Sequence, residues 1–147
     1  MKSGKTPILR ARNIERILGI KRIYIKLEGT NPSGSISDRL AEKQVYSAVA
    51  QDFTHILAEG SKQYLEAIVY YATIKGLLVL SIKSQESWKR KLFSKSQLLN
   101  VDSKTNDIDG IKKLSFEHKA YLALEKHPQQ GIAHDAYGDL IDEASNK

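Results

Sequence analysis

Two stretches of this 147-residue chain carry side chains whose types and spacing can do chemistry. In the first, Asn31-Pro32 and Gly34 break the alternating apolar pattern of Ile23, Ile25 and Leu27, and Ser35 and Ser37 precede a helix that starts near Asp38. A strand, a tight turn and a capped helix start gather backbone N–H groups around one point, so Asn31, Ser35 and Ser37 form a candidate anion site. The same residues also suit a structural role, with Asn31, Asp38 and Arg39 tying the turn to the helix. In the second stretch, Ser61-Lys62-Gln63 precedes Leu65, Ile68, Val69 and Ala72 at helical spacing. A hydroxyl, an amine and an amide at a helix start suit phosphate or carboxylate binding, or simple capping by Ser61.

Other chemistries find little support. His55, His118, His127 and His134 include no pair four residues apart and no partner motif, so no metal site is expected. The chain has no cysteine, which removes disulfides and thiolate chemistry and suits a cytoplasmic protein. Its apolar runs are too short to span a bilayer, and no membrane partner is expected. The net charge of +6 is uneven: residues 1–95 carry +9 and residues 96–147 carry −3. No nucleic-acid motif accompanies the basic part, which reads as a solvated surface. Lys89-Arg90-Lys91, beside Trp88, is the best candidate for contact with nucleic acid or another anionic surface. It too reads as a solvated face, with Trp88 and Leu92 packed inward.

The elements that must position these residues follow from periodicity. Helices are expected over residues 11–18, 38–51, 62–75, 84–93, 108–126 and 135–144, with Ile14, Ile17 and Leu18 on one face of the first and Gly19 as its left-handed cap. Strands are expected over 54–58, 77–82 and 97–101, besides the initial one at 23–27. Residues 102–109 and 128–131 read as turns. Strands alternating with helices predict a three-layer α/β fold, with a mainly parallel sheet of about four strands and helices on both faces. One domain over residues 1–147 is expected.

Lys26-Leu27-Glu28 through Asn31-Pro32, Gly34-Ser35 and Asp38-Arg39 resembles the cofactor-lysine segment of the cysteine synthase (O-acetylserine sulfhydrylase) family of fold-type II pyridoxal-phosphate enzymes. The resemblance extends to Gly4-Lys5-Thr6-Pro7, to Ser84-Gln85-Glu86 with Lys89-Arg90, and to the tail from His127-Pro128 to Gly138 and Ile141. It places Ser37 where the family carries the lysine that forms the Schiff base. It also places residues 60–65 at the loop that grips the substrate carboxylate and the cofactor ring, where Ser61 alone is kept, Lys62 and Leu65 replace glycines, and Gln63 carries a longer amide. A serine hydroxyl cannot form an imine. Lys43, six residues further on, lies about 1.7 helical turns away, which leaves Lys62 as the amine to consider for a replacement.

The resemblance implies the N-terminal half of such an enzyme, without the second domain whose loop cups the cofactor phosphate. On this reading the protein is catalytically inactive, takes no cofactor and acts as a binding module. Its expected partners are a second copy or another protein, with a full-length synthase or a serine acetyltransferase suggested by the resemblance. The alternative is a residual pyridoxal-phosphate lyase or transferase of cysteine metabolism, completed by another chain.

Overall fold

The computed structural model describes residues 2–100 and 108–126, together with Ile132 and Tyr137. The chain opens with a small unit made of strand β1 (Ile8–Arg10), helix α1 (Arg12–Leu18) and strand β2 (Tyr24–Lys26). β1 and β2 form a two-stranded antiparallel ribbon with Leu9 opposite Ile25. A 3₁₀ turn (Glu28–Thr30) leads to α2 (Ser37–Ala50), β3 (His55–Glu59), α3 (Lys62–Lys75), β4 (Leu78–Ile82), α4 (Ser87–Leu92), β5 (Leu98–Leu99), α5 (Ile108–Glu117) and β6 (Tyr121–Leu124). The last four strands build one parallel sheet in the order β5-β4-β3-β6.

Strand alternation explains why the sheet is covered twice. Ile56 and Ala58 of β3, Val79 of β4 and Tyr121 and Ala123 of β6 face one core, which holds Leu40, Ala41 and Val45 of α2 and Leu65, Ile68 and Ala72 of α3. Leu57, Leu80 and Leu122 point the other way, toward Ile111 and Leu114 of α5. A strand buried on both faces needs the nearly unbroken apolar runs seen at 55–58 and 77–82. The expected three-layer α/β architecture is therefore present.

Three expectations change. Residues 108–126 do not form one helix: α5 ends at Glu117, Lys119 turns the chain with φ 47°, and residues 121–124 become the edge strand beside β3. The expected strand at 97–101 shrinks to Leu98–Leu99 after a short 3₁₀ turn, and residue 101 lies outside the described residues. Helix α1 forms, and Gly19 caps it in the left-handed region, but the Ile14-Ile17-Leu18 face meets no core, with Ile17 81 % exposed. The turn at 128–131 and most of the helix at 135–144 also lie outside the described residues, although Tyr137 packs against the main core.

One polar link crosses that core. The Tyr64 hydroxyl donates to Gln44 Oε1, and Gln44 Nε2 donates to the Leu124 carbonyl at 3.2 Å, which joins α3, α2 and β6. Both side chains are fully buried. Tyr64→Phe keeps the ring but leaves a buried amide oxygen without its donor. Urea unfolding is expected to show a loss of about 1–3 kcal/mol with an unchanged m-value.

Candidate functional site

The first candidate stretch folds as a tightly bonded knot. Asn31, 5 % exposed, accepts from the Gly4 N–H at 2.8 Å and donates to the carbonyls of Glu28 and Ser35 at 2.9 and 3.0 Å. Ser35 Oγ accepts from the Ser37 N–H at 2.9 Å. The amides of Ser33 and Ser35 point at the carboxylate of Asp38, at 2.9 and 3.3 Å, and the Ser33 hydroxyl donates to it as well. Tyr71 of α3 adds a fourth donor at 2.9 Å. Asp38 is fully buried, so the N–H cluster that the sequence offers to an anion already surrounds a carboxylate of this chain. Burial and the hydrogen bond to Asp38 push the Tyr71 phenol far up, so it stays a donor.

Beneath this knot lies an ion pair. Arg39, 3 % exposed, forks onto Glu28 with Nε at 2.8 Å from Oε2 and Nη2 at 2.9 Å from Oε1, and Nη2 also reaches the Gly4 carbonyl. Thr6 Oγ1 and Asn31 Nδ2 donate to the same carboxylate at 2.8 and 2.9 Å. Gly4 sits at φ 80°, and a Cβ there would lie 2.8 Å from the guanidinium, so both the backbone and the space require glycine. Lys26 Nζ donates to the Thr6 carbonyl at 3.0 Å and lies 3.7 Å from Glu28. Glu28 therefore binds the entry segment, the turn and α2 together.

The second candidate stretch shows the same device. Ser61 caps α3 by accepting from the Tyr64 N–H at 3.3 Å. Its own hydroxyl and N–H donate to the two oxygens of Glu125, at 2.8 and 2.5 Å. A carboxylate thus lies across the α3 N-terminus, held through both oxygens as a bound carboxylate would be. A Cβ at Gly60 would come within 2.7 Å of Glu125 and of the Tyr64 ring, so glycine is needed for this approach. Burial, reinforced by the nearby Glu125 charge, raises the Tyr64 phenol well above its ordinary value. Lys62 and Gln63 are exposed, and Lys62 pairs with Glu66 at 3.6 Å.

Two carboxylates at this end of the sheet went unrecognised in the sequence, and a third charged residue, Lys89, takes a different place from the one expected. Glu59 closes β3, and Glu125 immediately follows β6, so both carboxylates lie at the carboxyl ends of neighbouring parallel strands. Lys89, expected on a solvated basic face, is instead 4 % exposed. It donates to Glu59 at 2.7 Å and to the Ile82 carbonyl at 3.2 Å, while Ser81 and the Ile82 N–H donate to the other Glu59 oxygen. Arg90 and Lys91 do face solvent, and Trp88 and Leu92 pack inward as expected. The signal available was an acidic residue closing each of two apolar runs, His55–Glu59 and 121–125. No group of His, Cys, Asp or Glu among the described residues can hold a metal ion.

The chain is thus an open parallel α/β sheet with polar groups collected at the strand carboxyl ends, where open α/β folds place their ligands. Residues 1–89 match the pyridoxal-phosphate dependent enzyme family, and the chain belongs to that family. Tryptophan synthase beta chain 2 of Pyrococcus abyssi is 33% identical over 93 residues, covering 62% of this chain and 21% of its own. Threonine synthase of Methanocaldococcus jannaschii is 56% identical over 36 residues, which is 24% of this chain and 9% of the relative. Among solved structures, the T.th. threonine deaminase superposes with a TM-score of 0.68 at 21% identity, over 96% of this chain and 44% of that one. O-Acetyl serine sulfhydrylase isoform 3 of Entamoeba histolytica gives 0.66 at 20% identity, over 97% and 48%. These structures share the fold. The chain spans about a fifth or less of the length of these curated relatives, and under half of these solved chains.

Two positions bear on the cofactor that the family name implies. The position that the resemblance assigns to the Schiff-base lysine holds Ser37, 8 % exposed and without an amine. The α3 N-terminus is closed by Glu125.

The buried fork makes a direct prediction. Arg39, Thr6 and Asn31 hold the Glu28 carboxyl at about 2, below its ordinary 4.5, against the opposing effect of burial. A carboxylate with a depressed folded pKa adds stability above about pH 4.5, and that stability is lost as pH falls toward 2. Glu28→Gln is expected to flatten this acid limb in unfolding curves taken across that range. Arg39→Met leaves the Glu28 charge without its main partner and is expected to cost about 3–5 kcal/mol, part of which the double variant Glu28→Gln/Arg39→Met should restore.

Proposed function

We propose that this chain is a non-catalytic member of the pyridoxal-phosphate dependent enzyme family that acts as a binding module. The observation that carries the reading is the Glu125 carboxylate, gripped through both oxygens by Ser61 at the α3 N-terminus. On the resemblance to cysteine synthases, that helix start is where a substrate carboxylate would be held, and here the chain supplies the carboxylate itself. Ser37 at the lysine position and exposed Gln63 at the cofactor-ring position support the same conclusion. The resemblance also suggests protein partners, a second copy, a full-length synthase or a serine acetyltransferase.

One observation favours the alternative of a pyridoxal-phosphate lyase or transferase completed by another chain. Lys62 offers an exposed amine within one residue of the Ser61–Glu125 contact. In that case the Glu66 pairing must give way, and the phosphate cup must come from outside the residues described.

Absorbance titration of the purified protein with pyridoxal phosphate, followed by borohydride and peptide mapping, separates the two. The expected result is no saturable imine band and no lysine labelled above the level of a denatured control. A saturable band with label concentrated on Lys62 would establish the alternative.

A further inference from the structure

Six of the ten exposed large aliphatic side chains among the described residues lie in the N-terminal unit. Leu9, Ile14, Ile17, Leu18, Ile20 and Ile25 are 41–81 % exposed, and α1 buries none of its residues. The ribbon face that carries Leu9 and Ile25 continues through Pro7 and Leu27 at one end and Ala11 and Ile23 at the other, so it bears no polar side chain. The end of α1 forms an aliphatic tip, Ile17-Leu18-Gly19-Ile20, flanked by exposed Arg16, Lys21 and Arg22.

The charge on this unit is one-sided. Residues 2–26 contain eight Lys and Arg and one carboxylate, Glu15; Arg10 pairs with Glu15 at 2.9 Å and Lys26 lies 3.7 Å from Glu28, while Arg12, Arg16, Lys21 and Arg22 are exposed. We propose that the unit docks on an anionic lipid surface, with the aliphatic tip entering the interfacial region and the flanking cations meeting headgroup phosphates. Shallow burial of aliphatic side chains combined with basic flanks is the physical recipe for such adsorption. A second copy would bring the same exposed cations against themselves.

The expectation of no membrane partner rested on span length, and no helix among the described residues is long and apolar enough to cross a bilayer. Surface adsorption needs no span. The inference goes beyond the non-catalytic reading and is measured without the cofactor, so either can fail alone.

Vesicle co-sedimentation tests it, using phosphatidylcholine alone and phosphatidylcholine with about 30 mol % phosphatidylserine, in about 0.1 M and about 0.5 M salt. Partitioning onto the anionic vesicles is expected to exceed that onto neutral ones by about tenfold or more, and to fall in the higher salt. The charge reversal Lys21→Glu/Arg22→Glu should reduce it by about tenfold or more. The tip variant Ile17→Asn/Leu18→Asn should also reduce it, with unchanged circular dichroism, because both side chains are exposed. Equal partitioning onto both vesicles, binding to neither, or anionic binding indifferent to the tip variant would overturn the proposal. So would a concentration-dependent dimer broken by the tip variant without vesicle binding, which would assign the face to a second copy.

Discussion

The fork between Arg39 and Glu28 is the interaction on which the described architecture turns. It lies at the junction of two bodies that otherwise share few apolar contacts: the N-terminal ribbon-and-helix unit and the α/β sheet with its helices. A buried charge pair is a weak source of net stability but a strong source of specificity, because either charge alone is costly to bury. Gly4, Thr6 and Asn31 converge on the same pair, which fixes how the chain enters and where α2 begins. Once α2 is placed, Tyr71 can reach Asp38 and Tyr64 can reach Gln44, so α3 is locked to it through two phenols.

The same arrangement bears on function. Both helix starts that the sequence offers to an anion carry a carboxylate from within the chain, Asp38 at α2 and Glu125 at α3. In each case an internal carboxylate sits near the positive end of the helix dipole, a feature an external anion would exploit. Lys89 follows the same logic: a cation that could have met a ligand is turned onto Glu59 and the end of β4. The strand carboxyl ends are thus polar but internally satisfied, which supports reading this family member as a binder without chemistry. Much of the exposed apolar surface among the described residues lies elsewhere, on the N-terminal unit.

Much of the fold was legible because its strongest signals are local. The runs at 54–58 and 77–82 and the helical spacing at 38–51 and 62–75 are long and clean, and the structure follows them within a residue or two. Edge strand β6 was hidden because the turn at Lys119 uses a lysine at positive φ, with no glycine or proline to mark it. The Ser61 cap could be read, but its partner Glu125 lies 64 residues away and reaches it only because β6 is a strand beside β3. Lys89 misled for a similar reason. Three successive cations look solvated unless Glu59, thirty residues earlier, is known to stand at the neighbouring strand end. Amphipathic spacing in α1 announced an apolar face without telling what would cover it, and within the described residues nothing does.

On the proposed non-catalytic reading, Glu125 at the α3 N-terminus would exclude the cofactor even with an amine at residue 37. Restoring the amine tests it most directly: Ser37→Lys, shown to be folded by circular dichroism, titrated with pyridoxal phosphate and trapped with borohydride. No saturable imine and no selective label at residue 37 are expected, because Glu125 still occupies the α3 N-terminus. A saturable, reducible imine at that position would contradict it, leaving the substitution at residue 37 as the sole loss.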